Sequence, residues 1–283
     1  MLDIVRRGQA SGDFDASVPA HWLLSAYLAL GRATEDEVKA GRTWQSLVTS
    51  ATDNSGGSVT EREVLVFDLY GTLVDPIAIA GELGRVLGDA DGREAAGLWR
   101  LKQLEYSFRL TAMGRYEDFR WVTSRALDFA LAALGRRLRD DQAEQLAGLY
   151  DHLRPFPDAF PALRALAGLG YELAVLSNGT PAMITNCLDN GGLVNLFSQR
   201  ISVDEVRVFK PSPVVYRHAA ERLSRPIGQI RLVTSNAFDC VGASAAGMRT
   251  AWVNRSAAPF DTIGAQPDLT VPALDRLPAA LAG

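Results

Sequence analysis

The chain has 283 residues, 47% of them hydrophobic and 22% charged, which is enough apolar material for one large or two smaller globular domains and excludes a disordered chain. Its net charge is −4 and no run of Lys or Arg stands out, so neither nucleic acid nor an anionic membrane surface is an expected partner. No apolar run reaches transmembrane length, the first residues lack the basic-then-apolar pattern of a signal peptide, and two cysteines, Cys187 and Cys240, are too few for a disulfide framework and lack metal-ligand spacing. A reducing, cytoplasmic location is the expectation. His21, His152 and His218 are scattered and belong to no motif.

Residues 1–60 read as a separate helical extension. His21 to Leu30 is almost wholly apolar, Thr34-Glu35-Asp36-Glu37 reads as a capping box opening a second helix, and Asp53 to Ser58 has the composition of a linker. The catalytic-looking part starts at Val64-Leu65-Val66-Phe67, an apolar run suited to a buried parallel strand, which ends at Asp68 with Gly71 and Thr72 close behind. Residues 77–154 are rich in Ala, Leu, Arg and Glu at helical spacing and read as a helical insertion. Within it Leu98, Leu101, Lys102, Glu105 and Phe108 fall at helical intervals, with Trp99 and Arg100 on an adjoining face.

From Asp158 onward helices and strands alternate. Helices are predicted over Ala159 to Ala167, Pro181 to Asn190 and from Lys210-Pro211 to Leu223. Strands are predicted over Tyr171 to Leu176, Arg200 to Val203, Ile230 to Thr234 and Thr250 to Val253. Such alternation predicts an α/β fold with a doubly wound parallel sheet: a core of residues 61–76 and 155–283, a helical cap inserted after the first strand, and the short N-terminal extension.

Four points fall at or just beyond the ends of separate elements: Asp68, Ser177-Asn178, Lys210, and Ser235-Asn236 with Asp239. In a doubly wound sheet these ends converge on one crevice. A carboxylate, a hydroxyl–amide pair, a cation and a second carboxylate would meet there. Singly each has a bland reading: Asp68 as a turn residue capping its strand, Ser-Asn-Gly as a turn, Lys210 as a solvated lysine.

The stretch from Phe67 to Asp75, the four points in this order, and Leu98-Trp99-Arg100-Leu101-Lys102-Gln103-Leu104-Glu105-Tyr106 resemble the haloacid dehalogenase superfamily, in its L-2-haloacid dehalogenase branch, from about Val64 to the end. Phosphatases of that superfamily carry a second Asp where Tyr70 stands, to protonate a leaving alcohol; a halide needs no proton. The resemblance implies that Asp68 attacks the halogen-bearing carbon and forms an ester that water then cleaves. It implies that Ser177 with amides near Leu69, Tyr70 and Asn178 holds the substrate carboxylate, and that Arg100 and Asn178 cradle the halide. Lys210 would neutralise Asp68, and Asn236 and Asp239 would orient water, with Thr72, Tyr216 and Thr234 as supporting hydrogen-bonders. Tyr70, Leu104, Phe119 and Phe238 would wall the alkyl group.

From their residue types alone, Arg100 reads as a surface arginine, Tyr216 equally as a packed helix residue, and the aromatics as core. Leu101 and Phe238 replace a Gln and a Trp of a well-known member, changes expected to alter pocket polarity and volume. The resemblance implies no cofactor or metal, a small haloacid as substrate, and a homodimer. A Mg²⁺-dependent phosphatase wants Asp at position 70 and more carboxylates than Ser235-Asn236 supply. A third reading makes the protein a ligand-binding or dimerising module with a vestigial catalytic part. Arg7 to Phe14 and Trp22-Leu23-Leu24 are similar to the C-terminal helices of tetracycline-repressor-family regulators, and with no helix-turn-helix before them they fit a fused remnant or dimerisation appendage.

Overall fold

The structure, a computed structural model, describes residues 62–282; the helices, linker and repressor-like segment expected in residues 1–60 lie outside them. The organising strand is β1, Val64–Phe67, whose four side chains are all buried. A strand apolar on both faces is stable only with layers on both sides, and helices supply them. It is joined by β2 (Leu173–Ser177), β3 (Gln199–Ser202), β4 (Ile230–Thr234), β5 (Arg249–Val253) and β6 (Leu269–Val271). The order is β3-β2-β1-β4-β5-β6, and every pairing is parallel. After β3 the chain crosses back over β1 to lay β4 on its other side. The carboxyl ends of β1 and β4 therefore flank the switch point, where a crevice must open.

Between β1 and β2 come α1 (Ala80–Leu87), α2 (Asp89–Ala112), α3 (Phe119–Ala133) and α4 (Asp140–Gly148). Only Gly88 separates α1 from α2. The corner is tight because a Cβ on Gly92 would lie 2.4 Å from the backbone nitrogen of Gly84, so the two helices touch main chain to main chain. In α2 the buried line runs through Ala95, Ala96, Trp99, Gln103, Ser107 and Leu110, not through the leucines that the spacing singled out; Leu101 is 43% exposed. Polar Gln103 and Ser107 are tolerated inside because both are hydrogen-bonded, Gln103 Nε2 to Thr123 Oγ1 at 2.7 Å and Ser107 Oγ to the Gln103 carbonyl at 2.9 Å. Trp99 Nε1 donates to the Thr123 carbonyl at 2.7 Å, which fastens α2 to α3.

The second half follows with α5 (Ala159–Gly168), α6 (Pro181–Asn190), α7 (Pro213–Leu223), α8 (Ala237–Ala245) and α9 (Leu277–Ala282). Thr180 caps α6 by accepting from the Met183 amide at 3.2 Å, and Pro181 supplies the ready-made first turn. Helix α7 begins at Pro213 rather than at Lys210-Pro211, whose peptide bond is cis and belongs to the loop before it. Strand β6 and helix α9 were absent from the sequence reading. Three residues of β6, of which only Val271 is buried, make too short a pattern to stand out.

Gly92→Ala should crowd α1 against α2 at a cost of about 1–3 kcal/mol, lowering Tm by roughly 3–10 °C in a chain of this size. A melting curve superposable on the parent's would show that the corner has room for a methyl group.

Candidate active site

Asp68 sits one residue beyond β1, and its amide donates to the Val233 carbonyl of β4 at 3.0 Å, so its position is set by the sheet itself. The loop then turns on Gly71, whose φ of +91° lies in the region that favours glycine. That turn lets the Gly71 amide reach the Val74 carbonyl at 2.8 Å and brings Thr72 back over Asp68. Asp68 is only 6% exposed.

Its two carboxylate oxygens have different surroundings. Oδ2 accepts from Asn236 Nδ2 at 2.8 Å and Thr72 Oγ1 at 2.9 Å, with Thr234 Oγ1 farther off at 3.4 Å. Oδ1 accepts from Lys210 Nζ at 3.1 Å. The Thr72 hydroxyl is aimed by the Ser235 amide, which donates to it at 2.8 Å, and the Thr234 hydroxyl by the Asn236 amide at 3.0 Å. Both strand-end loops thus contribute a donor to Oδ2.

Lys210 is 1% exposed and lies between two carboxylates, with Asp239 Oδ2 at 2.8 Å on its other side. Burial disfavours an ammonium, but Asp239 and Asp68 more than offset it and hold the Lys210 pKa above that of a free lysine. Asp239 stands in the first turn of α8, and Tyr216 of α7 donates to its Oδ1 at 2.6 Å. Burial, with the charge of Asp68 added, keeps the Asp239 carboxyl above the ordinary carboxylate range, although Lys210 and Tyr216 pull the other way. Burial and the adjacent Asp239 also raise the Tyr216 phenol, so it stays a neutral donor.

The remaining wall comes from β2 and the inserted helices. Asn178 accepts from the Lys210 amide at 3.1 Å through Oδ1, which turns its amide donors the other way. Ser177 Oγ accepts from the Gly179 amide at 3.0 Å and keeps its own proton free. The amides of Leu69, Tyr70 and Asn178 donate to nothing among the described residues. Arg100, from α2, donates to the Tyr70 carbonyl at 3.2 Å and to Gln103 Oε1 at 2.8 Å. The Tyr70 carbonyl also accepts from Asn236 at 3.1 Å, so one oxygen joins helix α2, the Asp68 loop and the β4 loop.

Tyr70 and Phe119 pack with ring centroids 5.4 Å apart, and Phe119 continues to Phe209 at 6.2 Å. Phe238 instead meets Phe108 of α2 edge-on at 5.1 Å. Leu104 lies one turn beyond Arg100, half-buried, and Leu101 faces outward, so the Gln-to-Leu change expected to alter the pocket falls on an exposed position. The structure therefore gathers Asp68, Thr72, Lys210, Tyr216, Thr234, Asn236 and Asp239 into one hydrogen-bonded network, with Asn178 and Arg100 attached at its edge. Leu69 and Ser177 are buried beside it, and Leu104 is half-buried on α2.

Sequence reasoning passed over Arg255 and Asp158. Arg255 lies two residues beyond β5, and the rule that drew attention to the other strand ends applies to it equally. It donates to Ser235 Oγ at 2.9 Å, to the Thr72 carbonyl at 3.0 Å and, over 3.4 Å, to the Gly71 carbonyl, while Asp158 grips it at 2.9 and 3.2 Å. Its guanidinium lies 4.1 Å over the Phe156 ring, at the edge of a cavity of about 340 Å³ that Gly71, Ser235 and Trp252 also line.

Among the described residues no three His, Cys, Asp or Glu side chains group so as to hold a metal ion. Asp68 and Asp239 are both engaged by Lys210, a donor set that suits a fixed internal cation.

Residues 63–247 match the family model described as haloacid dehalogenase-like hydrolase. The (S)-2-haloacid dehalogenase 2 of Pseudomonas sp. (strain CBS-3) is 40% identical over 217 residues, which cover 77% of this chain and 94% of that protein. The haloacetate dehalogenase H-2 of Moraxella sp. (strain B) is 36% identical over 76% of this chain and 96% of its own. The solved L-2-haloacid dehalogenase of Xanthobacter autotrophicus with chloropropionic acid covalently bound superposes with a TM-score of 0.74 at 36% identity, covering 79% of this chain and 99% of that one. By sequence and by fold alike, the chain belongs to the haloacid dehalogenase-like hydrolases, in the branch of the L-2-haloacid dehalogenases.

Proposed function

We propose that the protein hydrolyses short L-2-haloacids to 2-hydroxy acids with inversion at C2, through an ester on Asp68. The observation that carries the reading is the asymmetry of the Asp68 carboxylate. Oδ2 is occupied by donors from Thr72 and Asn236, whereas Oδ1, which among the described residues accepts from Lys210 alone, keeps a lone pair for attack. Oδ1 attacks C2 in line, the carbon–halogen bond breaks, and halide departs with the bonding pair. No proton is required, which accords with Tyr70, a neutral phenol whose pKa burial raises further, at the position where an acid would otherwise stand.

Water then attacks Cγ of Asp68. The Cγ–Oδ1 bond breaks, the 2-hydroxy acid leaves with Oδ1, and the carboxylate regains an oxygen from water; one proton is released for each halide. In this step Oδ2 is the carbonyl oxygen, and its donors from Thr72 and Asn236 become the hole that stabilises the developing oxyanion. Asp239, held by Lys210 and Tyr216, accepts the proton of the attacking water or orients it through Lys210. Inversion occurs once because the second step leaves C2 untouched.

The uncommitted amides of Leu69, Tyr70 and Asn178, with the Ser177 hydroxyl, suit the substrate carboxylate, since convergent main-chain donors favour an anion. Arg100 and the amide donors of Asn178 suit the departing halide. The pair Tyr70 and Phe119 offers an apolar surface for a methyl group. The Moraxella relative named for haloacetate puts unsubstituted haloacetates within the same substrate class. A homodimer belongs to this proposal as well, and light scattering reads it.

The reading is tested by halide release from separate L- and D-2-chloropropionate, with and without EDTA, beside a phosphate ester. Chloride from the L enantiomer alone, untouched by EDTA, is expected. Metal-dependent phosphate release without chloride would move the protein to the phosphatases. Asp68→Asn should reduce turnover to background while leaving the melting curve in place, and full activity without deamidation would remove Asp68 from the chemistry.

The raised pKa of Asp239 gives a pH dependence with a defined sign. A carboxyl that binds its proton more tightly folded than unfolded loses no folding stability by taking it up, so activity falls on acidification before the fold does. The acid limb of kcat should lie above the roughly 3.9 of an ordinary Asp, at pH values where circular dichroism is still native. Tyr216→Phe removes a donor that favours the Asp239 carboxylate and should move that limb to higher pH. A limb that coincides with unfolding, or that ignores Tyr216, would dissociate it from Asp239.

A further inference from the structure

The Asp68 site depends on two loops that are remote in sequence staying in register, and Arg255 bonds to both. From the loop after β1 it takes the Gly71 and Thr72 carbonyls, and from the loop after β4 it takes Ser235 Oγ. Ser235 is the residue whose amide aims the Thr72 hydroxyl at Asp68, and its carbonyl is held in turn by Trp252 Nε1 at 3.2 Å. Neighbouring Asn236 carries the second donor to Oδ2. Arg255 itself is oriented from behind. Asp158, just before α5, receives its Nη2 at 2.9 Å and its Nε at 3.2 Å, and accepts the Leu274 amide at 2.8 Å as well. A planar guanidinium fork, with five N–H donors, can serve these five acceptor atoms at once, whereas an ammonium cannot.

We infer that Arg255, held by Asp158, is a positioning residue for ester hydrolysis, tying the two strand-end loops so that Thr72 and Asn236 grip Oδ2 of Asp68 together. The inference rests on the reading of Asp68 as the nucleophile. It separates the two chemical steps. Displacement needs Oδ1 presented to the substrate, which the sheet and Lys210 secure without Arg255. Hydrolysis needs a donor from each loop on Oδ2 while charge builds there, and it is therefore the step that feels a loss of register.

The test follows the ester directly. The intact protein is mixed with L-2-chloropropionate, quenched over time, and analysed for chloride and for the mass of the acylated chain, in the parent, Arg255→Lys, Asp158→Asn and, as a stability control, Leu166→Ala in α5. In Arg255→Lys the hydrolysis rate should fall about 10- to 100-fold while the first-turnover chloride burst stays within about threefold, so that the adduct accumulates. Asp158→Asn, which keeps the arginine and loosens its hold, should accumulate less adduct. Leu166→Ala should lower Tm and accumulate none, because the buried apolar side chain of Leu166 takes no part in the Arg255 hydrogen bonds.

Equal slowing of both steps in Arg255→Lys, or adduct in Leu166→Ala at matched loss of Tm, would reduce Arg255 to a structural ion pair. Failure of the parent to release chloride or to acylate would overturn the reading of Asp68 and this inference with it, an outcome distinct from a parent that turns over normally beside a variant without adduct.

Discussion

The burial of Lys210 is the constraint on which the site depends. An ammonium at 1% exposure is stable only where opposite charge and hydrogen bonds replace its water, and Asp68 and Asp239 provide both. Removing one carboxylate of such a group leaves the others uncompensated, typically at about 3–5 kcal/mol. Two carboxylates against one lysine leave the group with a surplus negative charge. Burial first, and then the charge of Asp68, raise the proton affinity of Asp239, while Thr72 and Asn236 donate to Oδ2 of Asp68.

That surplus also dictates what must surround the site. A substrate carrying its own carboxylate approaches a negatively charged cluster, and only donors outside the cluster can offset the repulsion. On the proposed mechanism the amides of Leu69, Tyr70 and Asn178, unpaired among the described residues, and the guanidinium of Arg100 are such donors. They come from three separate elements, β1, β2 and α2, so anion binding requires the inserted helices to be seated on the core. The contact of Arg100 with the Tyr70 carbonyl seats α2 on the loop that carries Asp68. Trp99 and Gln103, fixed to Thr123, prevent that helix from rotating Arg100 away.

Much of this was legible because parallel strands announce themselves. Four-residue apolar runs ending in a polar residue located β1 and β2, and Ile230 to Thr234, apolar but for Arg231, located β4; the doubly wound topology then obliges the element ends to meet, which singled out Asp68, Lys210 and Asp239 without any contact being known. Three things were hidden, each for a physical reason. The orientation of α2 was obscured because its buried line includes Gln103 and Ser107, which look solvent-facing until Thr123 and the helix backbone satisfy them. Strand β6 borders the sheet and buries one side chain, so it leaves almost no periodicity. The pairing of Arg255 with Asp158 spans 97 positions, and no local pattern encodes a partner at that distance.

The same electrostatics explain why the superfamily's fold need not carry phosphatase chemistry here. A hard divalent cation needs carboxylate oxygens free to turn toward it. In this chain Asp68 and Asp239 spend their oxygens on Lys210, Thr72, Asn236 and Tyr216, and the position next but one to the nucleophile holds a buried phenol in place of an acid. A protonated ammonium fixed inside the protein performs the charge neutralisation that a bound cation would perform elsewhere, but it cannot exchange ligands with a phosphoryl oxygen. It can only hold a carboxylate ready. What remains available to the site is displacement by Asp68 of a group that leaves as an anion unaided, followed by hydrolysis of the ester so formed, and a halide on the carbon beside a carboxylate meets both conditions.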